Sequence, residues 1–292
     1  MTERAGERRA REAMRSLGLW DGRAPLSLRL ASTAAQTNLT YEARTGDRRL
    51  ALRLPREVSV GAVDRACEEE AQALAFRIGI GVEPVAFDGA SGVMATRWLD
   101  DAQPLAAQAF ARDPALTAEA VALLRRLHAS GARLPCALKP AAAIDSYLAG
   151  LRSDDRDAFW TPAVARAVAR SLAEASGVAA PCHGDPVPAN FLRSPRGLVL
   201  IDWEYAGMTD PAWDLGYIAS EAALDDRAVE AMTAAYGDAM MTPRRVFAAM
   251  IAAAAVSALW TLLRLRSEPT AEMAAAFRIR SEKLHALAAR AI

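Results

Sequence analysis

The sequence predicts an α+β protein of two lobes, a small antiparallel sheet followed by a larger helical body. Three observations predict it. Strand-like runs crowd the first hundred residues. From about residue 101, apolar residues recur at helical spacing. One further pair of strand-like runs, near 190–202, sits among acids between the helices. Strands gathered first and helices after are segregated, which is the α+β pattern, with a cleft expected between the lobes. The 292 residues suffice for two compact lobes, expected at 1–98 and 99–292.

The elements follow in chain order. "MTERAGERRAREAMRSLGLW" mixes acids and bases and has no apolar run, so it reads as a short amphipathic helix with Met14 and Leu17 on one side, not a signal peptide. "NLTYEAR" (38–44) and "RRLALRL" (48–54) flank "TGD", a hairpin signal. A helix is expected near 63–78, then strands in "EPVAFDG" and "GVMATRW" about the turn "DGASG". "PALTAEAVALLRRLHAS" opens the helical part, and further helices are expected at 141–151, 162–176, 211–223, 225–240, 243–266 and 270–290. "NFLRS" and "LVLID" read as a second hairpin about "PRG". Residues 246–263 are uncharged for 18 positions, the lower limit for a membrane span. Their alanine content, with Ser257 and Thr261, favours a helix buried in a large core.

Composition narrows the function classes. Lys plus Arg and Asp plus Glu balance at 35 each, which gives no support for broad nucleic-acid binding. Cys67, Cys136 and Cys182 are widely spaced and form no CxxC pair. Neither a disulfide framework nor a zinc site is expected, and a reducing cytoplasm fits.

The chemistry concentrates in "PCHGDPVPANFL" (181–192) and "LVLIDWEYAG" (198–207). Pro186 and Pro188 exclude regular helix or sheet around Asp185 and make that segment a rigid loop. Asn190 starts one strand, and the return strand delivers Asp202 beside it. Two carboxylates and an amide thus gather at one end of a hairpin, a set of oxygen ligands that suits Mg²⁺. His183, Asp185 and Asn190 carry the offsets of the protein-kinase catalytic loop, with glycine in place of its arginine. In that template the aspartate accepts the acceptor's hydroxyl proton, and the asparagine and a later aspartate hold metal. The bland alternative is an Asx-rich structural turn.

At these residues the chain resembles the choline/ethanolamine kinase family, in the wider group of aminoglycoside phosphotransferases with a protein-kinase-like fold. "HGDPVPANFL", "LVLIDWEYAGMTDPAWDLG" and "TNLTYEARTGDRRLALRL" carry the likeness, which covers about residues 30–265. The resemblance implies transfer of the γ-phosphoryl group of ATP, with Mg²⁺, to the hydroxyl of choline, ethanolamine or a similar small molecule. It implies Asp185 as base, Asn190 and Asp202 as metal ligands, and Asp214 as a brace of the loop. His183 steadies the loop by hydrogen bonding. Asp210 and Pro211 are expected to cap the helix that carries Asp214.

The alternation of Leu50, Leu52 and Leu54 with Arg49, Ala51 and Arg53 turns Arg53 away from the leucines and toward the cleft. Its expected partner is Glu70, on the stripe of Cys67, Ala71, Leu74 and Ile78, whereas Glu68 and Glu69 point outward. By resemblance, Thr37 and Asn38 in the glycine-free "STAAQTN" and Thr96 and Trp98 in "MATRWLDD" contact the nucleotide, and Tyr205, Glu221 and Trp260 hold the acceptor. Ser257 stands where a second family tryptophan is expected. Rival readings are thiamine or aminoglycoside phosphorylation, or a catalytically silent nucleotide-binding protein of the same fold. No membrane and no nucleic-acid partner are expected, and the location expected is cytoplasmic.

Overall fold

The computed structural model describes residues 3–32, 38–56, 63–174 and 178–291. Helix α1 (Glu3–Ser16) leads into a five-stranded antiparallel sheet of β1 (Leu26–Ser32), β2 (Asn38–Thr45), β3 (Arg48–Pro55), β4 (Pro84–Asp88) and β5 (Val93–Arg97), in the order β1-β2-β3-β5-β4. Helix α2 (Arg65–Arg77) crosses between β3 and β4. The predicted hairpin is present: Thr45 pairs with Arg48 across the turn, and Leu39 with Leu54 at the other end. Alternation sorts β3 as expected. Leu50, Leu52 and Leu54 are buried against Ala10, Ala13 and Met14 of α1, while Arg53 projects from the opposite face.

The remainder is mostly helical: β6 (Gln103–Pro104), α3 (Ala109–Arg112), α4 (Pro114–His128), α5 (Pro140–Gly150), α6 (Ser153–Phe159), α7 (Pro162–Ala173), then α8 (Ala212–Glu221), α9 (Asp226–Tyr236), α10 (Pro243–Ser267) and α11 (Ala271–Arg290). Between α7 and α8 lie β7 (Ala180–Cys182), β8 (Phe191–Ser194), β9 (Gly197–Leu200) and β10 (Gly207–Thr209). Strands β8 and β9 form the second predicted hairpin, joined by β6; β7 pairs with β10. The core fills the space between α4, α8 and α10 with Leu124, Leu127, Leu215, Ile218 and Leu259, each fully buried. Burial of such a side chain is worth about 1.5–3 kcal/mol.

Helix α10 is the apolar stretch of the sequence. Its length and composition would let it cross a membrane, but most of the stretch is buried within the protein, chiefly against α8. The two helices approach closely because residue 216 is glycine. A Cβ there would stand 2.4 Å from that of Ala249 and 2.6 Å from its carbonyl carbon. Helix α8 begins at Ala212 with Pro211 as its cap, one residue later than expected. Asp210 still serves the helix start, because its Oδ1 accepts from the Ala212 N–H at 2.9 Å and Arg245 holds both its oxygens.

The cysteine expectation is overturned. Cys67 of α2 and Cys136, ahead of α5, form a disulfide, with Cα atoms 5.8 Å apart, and only Cys182 is a free thiol. The partners lie 69 residues apart, and only the docking of α2 on the helical lobe brings them together.

Candidate active site

The site is built on the two segments singled out in the sequence. Strand β7 ends at Cys182, and Gly184 then takes φ +88°, in the left-handed region. A Cβ at Gly184 would lie 2.1 Å from the Tyr205 carbonyl oxygen, so the loop reaches its position only with glycine there. Asp214, buried on α8, accepts from the His183 N–H at 2.8 Å and from the Gly184 N–H at 2.9 Å. His128 of α4 donates to Asp214 from Nε2 at 3.0 Å and receives the Tyr236 hydroxyl on Nδ1 at 3.1 Å. Trp213 donates from Nε1 to the Gly184 carbonyl at 2.9 Å. Burial would raise the Asp214 pKa, but His128 and the backbone donors outweigh it and hold the group below its ordinary value. His128 thus reaches the loop through Asp214.

His183 is fully buried against the Trp203 ring, with centroids 4.6 Å apart. It donates from Nε2 to the Ile201 carbonyl at 3.0 Å and receives the Asp185 N–H on Nδ1 at 3.3 Å. Those two bonds fix one neutral tautomer, and burial lowers its pKa. The loop is thereby fastened to the strand that delivers Asp202. Asn190 fastens it from the other side, with Nδ2 on the Asp185 carbonyl at 2.9 Å and on Asp185 Oδ2 at 3.5 Å. The Tyr217 hydroxyl acts on the same carboxylate and works to lower its pKa. Burial first, and Asp202 second, push the Asp185 carboxyl well above the ordinary range.

Asp202 follows β9 with φ +68°, in the left-handed region, which aspartate enters more readily than most non-glycine residues. It accepts from Arg53 Nη1 at 2.7 Å and from Asn38 Nδ2 at 3.4 Å, so the sheet meets the hairpin at this carboxylate. Asn38 Nδ2 also reaches Glu204 Oε2 at 3.2 Å. Burial first, then Asp202, raise the Glu204 carboxyl to about 7. Oxygens of Glu68, Asp202 and Glu204 lie within 4.8 Å of one another. Such a group of carboxylate oxygens fits a hard divalent cation such as Mg²⁺.

The expected ion pair exists with a different glutamate. Arg53 pairs with Glu68, which also holds Arg65 at 2.6 Å. Glu70 is an exposed residue paired with Arg77 at 3.0 Å. The reason lies in where α2 is buried. Beyond Cys67, Ala71 and Leu74, the buried face includes Gln72 and Ala75. At about 100° per residue these shift its centre toward Glu68 and leave Glu70 on the far flank. Glu204 was missed although it stands two residues from Asp202.

The nucleotide residues separate into two groups. Asn38 is buried at the acids, as described. Thr96 lies on β5 opposite Ala51, and the Trp98 N–H donates to the Arg49 carbonyl at 3.0 Å, with the Arg49 and Arg29 guanidinium carbons 5.3 and 5.9 Å from the Trp98 ring. Thr37 lies outside the described residues.

At the other end, Tyr205 is half-buried, and burial first, then Glu204 and Tyr147, push its pKa up. Glu221 lies one helical turn beyond Tyr217 on α8. Its carboxylate takes Lys283 at 2.9 Å, Arg280 at 3.2 Å and Ser257 Oγ at 3.0 Å. Burial alone would raise this carboxyl, but Lys283 and Arg280 outweigh it and hold the pKa at about 2. Trp260 lies on α10 beneath the guanidinium of Arg264, 5.9 Å from the ring centroid.

The profile of the phosphotransferase enzyme family, APH, matches residues 31–247. Protein LicA of Haemophilus influenzae is 30% identical over 217 residues, which span 72% of this chain and 63% of that protein. A choline/ethanolamine kinase family protein from Mesorhizobium loti is 31% identical, with a TM-score of 0.75 over 95% of this chain and 94% of that one. Choline kinase LicA from Streptococcus pneumoniae shares the fold, with a TM-score of 0.79 at 23% identity over 97% of this chain and 99% of that one.

Proposed function

The chain belongs to the phosphotransferase enzyme family and is a small-molecule kinase, and from that premise we propose that it transfers the γ-phosphoryl group of ATP, with Mg²⁺, to the hydroxyl of a small amino alcohol. Choline and ethanolamine come first, on the names of the relatives. The observation that carries the reading is the junction of Arg53, Glu68 and Asp202 beside Asp185, where one cation of the sheet meets acids of α2 and the hairpin. In this reading residues 1–98 form the nucleotide-binding lobe and 99–292 the catalytic and acceptor lobe. Asn190, Asp202 and Glu204 hold the metal. When bound, Mg²⁺ supplies positive charge against the phosphate oxygens.

The reacting steps fall to the loop. The acceptor oxygen bonds to the γ-phosphorus, the bond from that phosphorus to the β–γ bridging oxygen breaks, and ADP leaves. Asp185 receives the hydroxyl proton on a carboxylate oxygen. Its raised pKa suits it to accept that proton. The bonds from Asn190 orient the carboxylate, and the Asp214 brace fixes the backbone beneath it. Arg53 presents its guanidinium to the phosphates. Trp98 and the backbone of 94–101 line the adenine end, and Asn38 borders the phosphates. Tyr205, Glu221 and Trp260 border the acceptor. A cytoplasmic location, where ATP and Mg²⁺ are supplied, completes the reading; the glutathione pool there acts against the Cys67–Cys136 disulfide.

The test is ADP release from Mg-ATP with choline, ethanolamine, thiamine and an aminoglycoside in turn. Acceptor-dependent release with an amino alcohol supports the reading. Release with thiamine or the aminoglycoside alone moves the acceptor class, and no release with any acceptor contradicts phosphotransfer.

A further inference from the structure

Helix α2 serves one lobe and packs on the other. Its Glu68 is fully buried and pairs with Arg53 of the sheet, which in turn holds Asp202. Its Ala71, Leu74 and Ala75 belong to the core of the helical lobe, with Leu124, Phe191 and Leu200, and not to the core of the sheet. Those three residues fasten the second and third turns of the helix. The first turn carries Glu68, and the Cys67–Cys136 disulfide fastens it. The other anchor of that bond is the segment that follows Asp202. The Cys136 carbonyl accepts from the Met208 N–H at 2.9 Å, and the Leu138 N–H donates to the Met208 carbonyl at 3.1 Å. The Cys67 and Cys136 sulfurs lie 3.3 and 3.2 Å from the Ala206 carbonyl oxygen, four residues beyond Asp202. One covalent bond thus ties the turn that bears Glu68 to the segment that bears Asp202 and Glu204, and no step of phosphoryl transfer uses it.

We propose that Cys67–Cys136 is an exchange site for a small thiol of the glutathione class, and that its reduction lowers nucleotide affinity by releasing the turn that bears Glu68. The effect on nucleotide rests on the phosphotransferase reading and deepens it. Cys67 is 1% exposed and Cys136 only partly buried, so the attack falls on the Cys136 sulfur. A glutathione thiolate bonds to that sulfur, the protein S–S bond breaks, and Cys67 leaves as a thiolate that takes a proton from water. A second glutathione thiolate attacks the glutathione sulfur of the mixed disulfide. Cys136 leaves and is protonated, and oxidised glutathione departs. Two electrons pass from two glutathiones to the two cysteines, and oxidised glutathione runs the exchange backward. Each freed thiol keeps the Ala206 carbonyl in reach as an acceptor, so the dithiol form leaves no buried donor without a partner. What reduction removes is the hold on one helical turn, a local opening that spares the rest of the fold.

The experiment equilibrates the parent with oxidised glutathione or with excess reduced glutathione. Alkylation and intact mass count the free thiols, one in the first state and three in the second. Calorimetric affinity for Mg-ADP should weaken about tenfold on reduction, within the usual range of coupling between two sites. Cys136→Ser should show the weaker affinity under both conditions, and Cys182→Ala should keep the difference between them. An affinity that is equal in the two states of the parent, or tighter in the reduced one, overturns the inference. So does a disulfide that excess reduced glutathione leaves intact. If Mg-ADP binds in neither state, the phosphotransferase reading fails, and amide hydrogen exchange then decides the site. Protection across residues 67–70 that falls on reduction supports release of the turn, and protection that stays level overturns it.

Discussion

Two ends of one cleft treat carboxylates in opposite ways. At the hairpin end Arg53 is shared between Glu68 and Asp202, and Glu204 has the Asn38 amide for a hydrogen-bond partner. Its carboxyl rises to about 7. At the α8–α11 end Glu221 alone receives Arg280 and Lys283, and its carboxyl falls to about 2. Burial acts on both in the same direction, so neighbouring charge decides the difference. Acids in excess of cations make a place for a divalent metal. At the other end the buried carboxylate is already matched by its own cations. The sequence is neutral overall, and this asymmetry is invisible in its net charge.

The largest effect expected from breaking the comparison is at Asp185. Asp185→Asn keeps the shape and the Asn190 bond to the residue 185 carbonyl but loses the base. Phosphotransfer should fall by about 10²–10⁴-fold, with folding and ATP binding retained. Steady-state assays beside a thermal melt check this, and turnover like the parent's removes Asp185 from the base role.

Next comes the pair that the sequence misassigned. Glu68→Ala should cost about 3 kcal/mol, because it leaves Arg53 and Arg65 short of a buried partner. Glu70→Ala should stay within about 0.5 kcal/mol, since an exposed pair is worth little. Urea unfolding of both variants reads the difference, and equal costs would show that the helix presents neither glutamate to Arg53.

A smaller effect sharpens the acceptor end through pH. The folded Glu221 pKa of about 2 lies below the ordinary 4.5. Its contribution is therefore present above about pH 4.5 and lost as pH falls toward 2, on the order of 3 kcal/mol in all. Glu221→Gln should flatten that part of the acid-unfolding curve. Glu42 of β2, also held at about 2, should leave its share of the same limb intact. An acid limb unchanged in the Glu221 variant would mean that Arg280 and Lys283 do not engage it.

What was legible in the sequence was what depends on neighbours along the chain. The turn at "TGD", the alternation that frees Arg53 and the spacing of His183, Asp185, Asn190 and Asp202 are local, and each reappears in the fold. What was illegible depends on docking. Glu68 and Glu70 differ by half a turn, and the choice between them is made by what α2 packs against. The Cys67–Cys136 disulfide joins residues 69 apart. Arg280 and Lys283 reach Glu221 across about sixty residues, and nothing in the α11 segment marks them as site residues. Strand β1 was missed although its alternation, "LSLRLAS", directly follows the turn residues "DGRAP".

The most direct test of the charge asymmetry is the effect of Mg²⁺ on ADP affinity in the parent and in Asp202→Ala, measured by calorimetry. Excess acid at the hairpin end predicts that Mg²⁺ tightens ADP binding by at least about tenfold, or 1.4 kcal/mol, in the parent, and that the gain disappears in the variant. An ADP affinity indifferent to Mg²⁺ in the parent, or an equal gain in both proteins, would contradict the account.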